Sequence, residues 1–115
     1  MSAVPAWHVP LAAFRAGLAQ SGETSHVGLE HGSMRVLLYR PSEQDTQSPH
    51  SRDEVYIVES GTAEFRRDRE TVTVSPGDVL FVPAGMDHRF ETFSPDFATW
   101  AVFWGPDGGE NQRSQ

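Results

Sequence analysis

The segment PHSRDEVYIVESG, residues 49–61, combines a strand pattern with two side chains that can bind a metal ion. Its apolar residues form one continuous run, VYIV at residues 55–58, which is typical of a strand that lies in a core. If the strand runs unbroken, His50, Glu54, Tyr56 and Val58 lie on the same face. The Cα atoms of His50 and Glu54 would then be about 13 Å apart, and a bend at the start of the strand would bring them closer.

A second segment, GDVLFVPAGMDH at residues 77–88, ends in a histidine that opens another predicted strand. If the two strands are neighbours, His50, Glu54 and His88 converge. Two imidazoles and one carboxylate are the ligand set of the facial triad that holds Fe(II), and they also suit Mn, Ni, Cu or Zn. The residues alone leave a second interpretation open, because a histidine and a glutamate at the mouth of a strand often form a solvated edge.

The remaining sequence predicts one helix followed by short strands. Residues 10–20, PLAAFRAGLAQ, place Leu11, Phe14 and Leu18 on one apolar stripe, and Gly22 lies where the helix would end. Many short runs broken by turn residues favour a β-sandwich or barrel. The predicted strands lie near residues 25–31, 33–40, 54–60, 62–67, 70–75, 78–82, 87–93 and 98–104. We expect the tail, residues 106–115, to be loose.

Several charged residues are expected to face water. If Glu54 points inward, alternation turns Asp53 and Glu59 outward, and Arg89 points outward if His88 points inward. The mixed charges of RRDRE, residues 66–70, are typical of a solvated hairpin tip.

Composition limits the classes of function. The chain has 115 residues, which favours one domain, and no cysteine, so disulfides and thiolate metal sites are excluded. A net charge of −7 argues against nucleic-acid binding. No apolar run is long enough to span a membrane, and the start of the sequence lacks the pattern of a signal peptide. We therefore expect a cytoplasmic protein without nucleic-acid or membrane partners.

Together the two segments resemble the motifs of the cupin superfamily. In the first, three residues separate His50 from Glu54 and six more precede Gly61; the second runs from Gly77 through PAG to His88. The resemblance covers about residues 25–104 and implies a small, single-domain, all-β cupin. Its fold would be a double-stranded β-helix, or jelly-roll barrel. Residues 1–22 would form a helical extension, and residues 23–115 the barrel domain.

The resemblance also implies that His50, Glu54 and His88 are three of the four usual ligands of a divalent metal such as Fe, Mn, Ni or Zn. The family's first histidine would fall at position 48, where this sequence has Ser48. Gln47 is the candidate substitute, because its amide oxygen can bind a cation.

The vacant fourth ligand position can be filled in more than one way. Gln47 is equally well interpreted as a loop residue that bonds to the backbone. Asp45 is a weaker candidate ligand, and water would also complete the site. The family's second motif often ends in asparagine where this sequence has Thr92.

Cupins include enzymes and binding proteins, so the resemblance leaves the function open. In one interpretation the metal binds a small, oxygen-rich substrate, as in a dioxygenase or isomerase, with Glu54 as a ligand or as the catalytic base. In the other the barrel is a non-catalytic binding or storage module. A homodimer is expected from the resemblance and from the run at residues 98–104, which is apolar on both faces.

Overall fold

The computed structural model describes residues 7–110 as one helix and eight strands. The elements are α1 (Leu11–Ser21), β1 (Ser25–His31), β2 (Met34–Tyr39), β3 (Asp53–Ser60), β4 (Ala63–Arg67), β5 (Glu70–Val74), β6 (Val79–Val82), β7 (His88–Phe93) and β8 (Ala98–Trp104). Every predicted element is present, and each end differs from its prediction by at most one residue. No helix within the described range is long and apolar enough to cross a membrane.

The strands form two antiparallel sheets that face each other. One sheet has the order β1-β2-β8-β3-β6, and the other has the order β5-β4-β7. Inward side chains of both sheets fill the space between them, as in a jelly roll. Tyr56, Phe65 and Phe90 lie at the centre of this core, and each is at most 2% exposed. The predicted all-β jelly-roll barrel with a short N-terminal helix is therefore confirmed.

The helix α1 covers part of the outer face of the larger sheet. Phe14 packs edge-on against Trp100 of β8, with ring centroids 4.7 Å apart, and also contacts Leu38 and Ala98. Gly28 of β1 makes room for it, since a Cβ atom there would overlap the Phe14 ring. The helix thus explains why β8 is apolar on both faces near Trp100. The division of the chain at residue 22 stays a prediction, and residues 1–6 lie outside the described range.

Gly61 makes the turn between β3 and β4. Its φ angle is +73°, and a Cβ atom would lie 2.6 Å from the Cα atom of Phe97. A side chain is excluded there both by backbone conformation and by close approach. The turn fixes where β3 ends, and so it fixes which residues of β3 face the core.

Two expectations about exposed residues are wrong. Asp53 is only 6% exposed, because its carboxylate accepts hydrogen bonds from the backbone N–H groups of Ala84 and Glu110. The side chain of Glu59 is only 13% exposed, because it forms an ion pair beneath α1 with Arg15. Arg89 is exposed, as expected.

The beginning of the tail is also fastened rather than loose. Gly108 donates its backbone N–H to the carbonyl oxygen of Ser51, and the bond to Asp53 holds Glu110. These contacts close residues 106–110 over the start of β3. The rest of the tail, residues 111–115, lies outside the described range.

Candidate metal centre

The structure brings His50, Glu54 and His88 together inside the barrel. Each offers one ligand atom, and these atoms all lie within 4.8 Å of one another. The strands that carry Glu54 and His88 are not neighbours, although convergence was expected from neighbouring strands. They belong to opposite sheets, and the two side chains meet across the interior.

His50 reaches the site because the chain bends before β3 begins. The strand starts at Asp53, and residues 51–52 form the bend. As a result, Nε2 of His50 lies 3.0 Å from Oε1 of Glu54. The carbonyl oxygen of His50 accepts a 2.7 Å hydrogen bond from the N–H of Gly85. This bond ties the PAG turn of the second motif to the histidine of the first.

The Glu54 carboxylate is buried without compensation from hydrogen bonds. The residue is fully buried, and within residues 7–110 neither carboxylate oxygen has a hydrogen-bond partner. Removing a carboxylate from water costs on the order of several kcal/mol unless opposite charge and donors offset the loss. The environment of Glu54 is therefore suited to a group that supplies positive charge.

The separations of Glu54 from the two histidines suit ligands of one ion. Oε1 of Glu54 lies 3.0 Å from Nε2 of His50 and 3.5 Å from Nε2 of His88. Ligand atoms about 2.1 Å from a common ion lie roughly 3.0–3.4 Å apart at octahedral or tetrahedral angles. Within residues 7–110, Nε2 of His50 has no hydrogen-bond partner. The short distance to Glu54 is therefore not a hydrogen bond. The geometry therefore fits convergence on an ion better than a direct hydrogen bond.

The backbone sets the orientation of His88. Its Nδ1 lies 2.9 Å from the carbonyl oxygen of Met86, which can accept a hydrogen bond only from a protonated Nδ1. We assign the tautomer on this basis, and it leaves the Nε2 lone pair facing the site. A backbone carbonyl on the distal nitrogen is a common support for a metal-binding histidine.

Electrostatics around His88 favour a positive charge. Burial by itself lowers the pKa of the imidazole. The interaction with the Glu54 carboxylate and the bond to Met86 outweigh burial, and together they hold the pKa of His88 above its usual value of 6.5. In the metal-free protein a proton can thus occupy the position that a cation would take.

Tyr56 connects the site to Gln47. The Tyr56 hydroxyl lies 3.2 Å from Nε2 of His88 and donates a 3.2 Å hydrogen bond to Oε1 of Gln47. Burial, followed by the negative charge of Glu54, raises the pKa of Tyr56 well above its usual value, so the phenol stays protonated. The amide oxygen proposed as a metal ligand is therefore engaged by Tyr56, and a bond from Gln47 to a metal stays a prediction.

Asp45 has a structural role that its place in the sequence does not indicate. It is 2% exposed, and its carboxylate accepts hydrogen bonds from the Tyr39 hydroxyl at 2.8 Å, the Gln47 N–H at 3.0 Å and the Phe90 N–H at 2.9 Å. Burial and the bond to Asp45 raise the pKa of Tyr39. Asp45 thus fastens the loop before His50 to β7. Its position in a polar loop gives no periodic signal that could have identified it.

The mouth of the site is small and carries positive charge. A cavity of about 210 Å³ is lined by Arg35, His50, Ser51, Arg52 and Phe103. The Phe103 ring packs edge-on against His50 with centroids 4.8 Å apart, and His50 is the most exposed member of the triad, at 23% of its side chain. The two arginines at the opening were not identified from the sequence.

The aromatic residues of the strands around the site differ in their contacts. Tyr56 and Phe103 contact the histidines, while Phe90 packs behind Tyr56 in the core, with ring centroids 5.0 Å apart. Trp100 lies on the outer face of the sheet beside α1 and takes no part in the site.

Comparisons with known proteins agree with this architecture. An uncharacterised protein of Streptomyces coelicolor is 41% identical over 81 residues, covering 69% of this chain and 77% of that protein. Among solved structures, KdgF from Halomonas sp. is 20% identical with a TM-score of 0.62, covering 70% of this chain and 77% of the other. The DMSP lyase DddQ from Ruegeria pomeroyi is 22% identical with a TM-score of 0.61, covering 70% of this chain and 46% of the lyase.

The two structural likenesses are low in sequence identity and show a shared fold. A family model described as the cupin domain matches residues 35–104, which contain both motifs and all three members of the triad. The match spans more than half of the chain. The protein therefore belongs to the cupin family.

Proposed function

We propose that this protein is a metal-dependent cupin that holds a divalent ion with His50, Glu54 and His88. The observation that supports this most strongly is the fully buried Glu54 carboxylate, which lies between two imidazoles and has no hydrogen-bond partner within residues 7–110. Fe, Mn, Ni and Zn all suit this ligand set. Water or Gln47 would complete the coordination.

The proposed substrate is a small, oxygen-rich and anionic molecule such as a carboxylate. A divalent ion at the triad would act as a Lewis acid toward an oxygen atom of that molecule. Arg35 and Arg52 line the cavity at the mouth of the site, beside His50. Guanidinium groups pair well with carboxylates. The net charge of the chain is −7, which would repel an anionic substrate. The two arginines would attract such a substrate locally.

Glu54 is the proposed catalytic residue. It is the carboxylate at the centre of the triad, and a carboxylate oxygen released from coordination can accept a proton from a neighbouring carbon or hydroxyl. Tyr56 would position His88, since its hydroxyl lies 3.2 Å from Nε2. An oxygenase and an isomerase are both compatible with these groups.

A non-catalytic binding or storage protein is the second candidate function. In that function the cavity at the mouth, of about 210 Å³, would hold a small ligand without converting it. The two functions differ in one observable. An enzyme converts a carboxylate substrate, with or without oxygen uptake, whereas a binding protein shows saturable binding and returns the ligand unchanged.

We also propose that the protein is a homodimer that pairs through the outer face of the larger sheet. Beyond α1 this face carries Ile57, Val79 and Phe81, which are 37%, 64% and 46% exposed. An apolar patch of this kind is typical of an interface, and two copies can share one such face around a twofold axis. A cytoplasmic location stays a prediction.

Metal content tests the proposed site. After reconstitution and removal of free metal, the wild-type protein should retain about one divalent ion per chain by elemental analysis. Glu54→Gln keeps the shape of the side chain but removes its charge, and we expect metal affinity to fall by at least about 100-fold. That loss exceeds the 10- to 100-fold effects of residues that only orient a ligand.

A matched control for this substitution is Glu43→Gln, which changes the same chemical group on the exposed loop. It should bind metal as the wild type does. A wild-type protein that holds no stoichiometric metal, or a Glu54→Gln variant that binds as tightly as Glu43→Gln, would contradict the proposal.

The raised pKa of His88 predicts opposite pH trends with and without metal. In the metal-free protein, protonation of His88 contributes stability that is fully present below the unfolded-state pKa of about 6.5 and is lost as pH rises through the higher folded-state pKa. In the presence of metal, stability should rise over the same window, because protons compete for Nε2. Below the pKa of His88 the affinity should fall by about tenfold per pH unit for each proton displaced.

Thermal unfolding at several pH values, with chelator and with added metal, measures both trends. In the metal-free protein, Glu54→Gln should reduce the loss of stability that accompanies rising pH. The substitution removes the interaction that raises the pKa of His88. Parallel pH profiles with and without metal would be inconsistent with a proton and a cation competing for His88.

The dimer is tested by mass in solution. Phe81→Glu places a charge in the exposed patch and should convert the dimer to a monomer by light scattering. Thr73→Glu is the control, since Thr73 is exposed on β5 of the other sheet and borders a different cavity, beside Thr62 and Thr92. The proposed interface fails if the wild-type protein is a monomer, or if Thr73→Glu disrupts the dimer and Phe81→Glu leaves it intact.

A further inference from the structure

A chain of hydrogen bonds runs from the loop before His50 to the triad. The Asp45 carboxylate accepts a bond of 3.1 Å from Nε2 of Gln47, whose Oε1 accepts a bond of 3.2 Å from the Tyr56 hydroxyl. The Tyr56 oxygen in turn lies 3.2 Å from Nε2 of His88. The loop and the candidate metal centre are thus linked by four side chains in series.

Asp45 sets the direction of this chain. Backbone N–H groups donate to both of its oxygens, from Gln47 to Oδ1 at 3.0 Å and from Phe90 to Oδ2 at 2.9 Å. Because an N–H group can only donate, both oxygens act as acceptors. The Gln47 side chain therefore presents its NH₂ group to Asp45. The orientation of the amide, assigned from these partners, places Oε1 toward Tyr56.

The Tyr56 proton is consequently held away from the triad. The amide oxygen of Gln47 can only accept, so the Tyr56 hydroxyl donates its single proton to Gln47. A lone pair of the hydroxyl oxygen is left to face Nε2 of His88. While the bond to Gln47 is in place, Tyr56 cannot donate to that nitrogen.

As a result, lone pairs face the site and the Tyr56 proton does not. The His88 tautomer, with its proton on Nδ1 toward Met86, directs the Nε2 lone pair to the same side as the Tyr56 oxygen. Within residues 7–110, both carboxylate oxygens of Glu54 also lack a hydrogen-bond partner. A metal ion binds nitrogen and oxygen atoms through free lone pairs, so a hydrogen-bond donor at this point would compete with the ion.

We propose that Gln47 is a positioning residue for the metal centre, which acts through Tyr56 and is not itself a ligand. By accepting the Tyr56 proton, Gln47 prevents the hydroxyl from donating to Nε2 of His88 and leaves that nitrogen free to bind the ion. Asp45 fixes the amide in the orientation that this requires. The inference rests on the proposed metal-binding function, and it leaves the fourth coordination position to water.

Replacement of Gln47 by methionine tests this role. Gln47→Met keeps the length of the side chain and the backbone bond to Asp45 but removes the acceptor, so the Tyr56 hydroxyl can turn and donate to His88. Metal affinity, measured by competition with a chelator, should fall by about tenfold or more, as it does when a group that supports a metal ligand is lost. Gln44→Met is the matched control on the exposed part of the same loop and should bind metal as the wild type does.

The same substitution in a Tyr56→Phe background separates positioning from direct ligation. Without the hydroxyl there is no competing donor, so Gln47→Met should change metal affinity by less than about twofold in this background. A direct bond from Gln47 to the metal would be lost equally in both backgrounds. An equal fall in the two backgrounds, or no fall with Tyr56 present, would therefore overturn the inference.

The metal-free protein gives a second readout that does not depend on metal binding. Nitrogen chemical shifts of the His88 ring at alkaline pH report whether Nε2 accepts a hydrogen bond. We expect the Nε2 signal to move in Gln47→Met, and to stay in place when Gln47→Met is introduced into Tyr56→Phe. A signal that does not move in Gln47→Met would overturn the inference even if the protein binds metal. A wild-type protein that retains no metal, with the shifts as expected, would instead contradict the proposed function.

Discussion

The buried carboxylate of Glu54 is the constraint on which the rest of this site depends. A charge with no water and no hydrogen-bond donor is tolerated only when nearby groups offset its desolvation. The two imidazoles provide that compensation in part, and the pKa of His88 rises as a result. A metal ion would provide it in full. The same carboxylate thus explains the raised pKa of His88 and the proposed affinity for a cation.

Bringing three side chains to one point requires that loops be as well fixed as strands. His50 lies outside regular structure, and it is secured by the bond from Gly85 to its carbonyl oxygen. The preceding loop is secured by Asp45, which bonds to Tyr39 and to the backbone of Phe90. The Asp53 carboxylate accepts hydrogen bonds from the backbone N–H groups of Ala84 and Glu110, and so it holds both segments beside the start of β3. Buried carboxylates with satisfied bonds therefore hold the frame around Glu54, whose two carboxylate oxygens have no hydrogen-bond partner within residues 7–110.

The sequence predicted the elements and the triad well, because both leave local signals. Strand ends carry turn residues, and the spacing of His50, Glu54, Gly61 and His88 follows the cupin motifs. Alternation along a strand reports which residues share a face, but not which sheet a strand joins. For that reason the meeting of Glu54 and His88 across the barrel could not be derived from spacing.

The errors have a common cause, which is contact between residues far apart in the sequence. Alternation predicted that Asp53 and Glu59 face water, but it takes no account of chain packed over a sheet. Residues 106–110 cover Asp53, while α1 and a bulge in β3 enclose Glu59. Asp45 gave no signal because a loop has no period. In each case the decisive contact joins residues far apart in sequence, which a pattern of neighbours cannot report.

The most direct test of the proposed metal centre is anomalous diffraction from crystals of the protein reconstituted with Mn or Zn. We predict one strong peak per chain inside the barrel, about 2.0–2.2 Å from Nε2 of His50, Nε2 of His88 and a carboxylate oxygen of Glu54. Peaks confined to the protein surface, with no density among these three side chains, would contradict it.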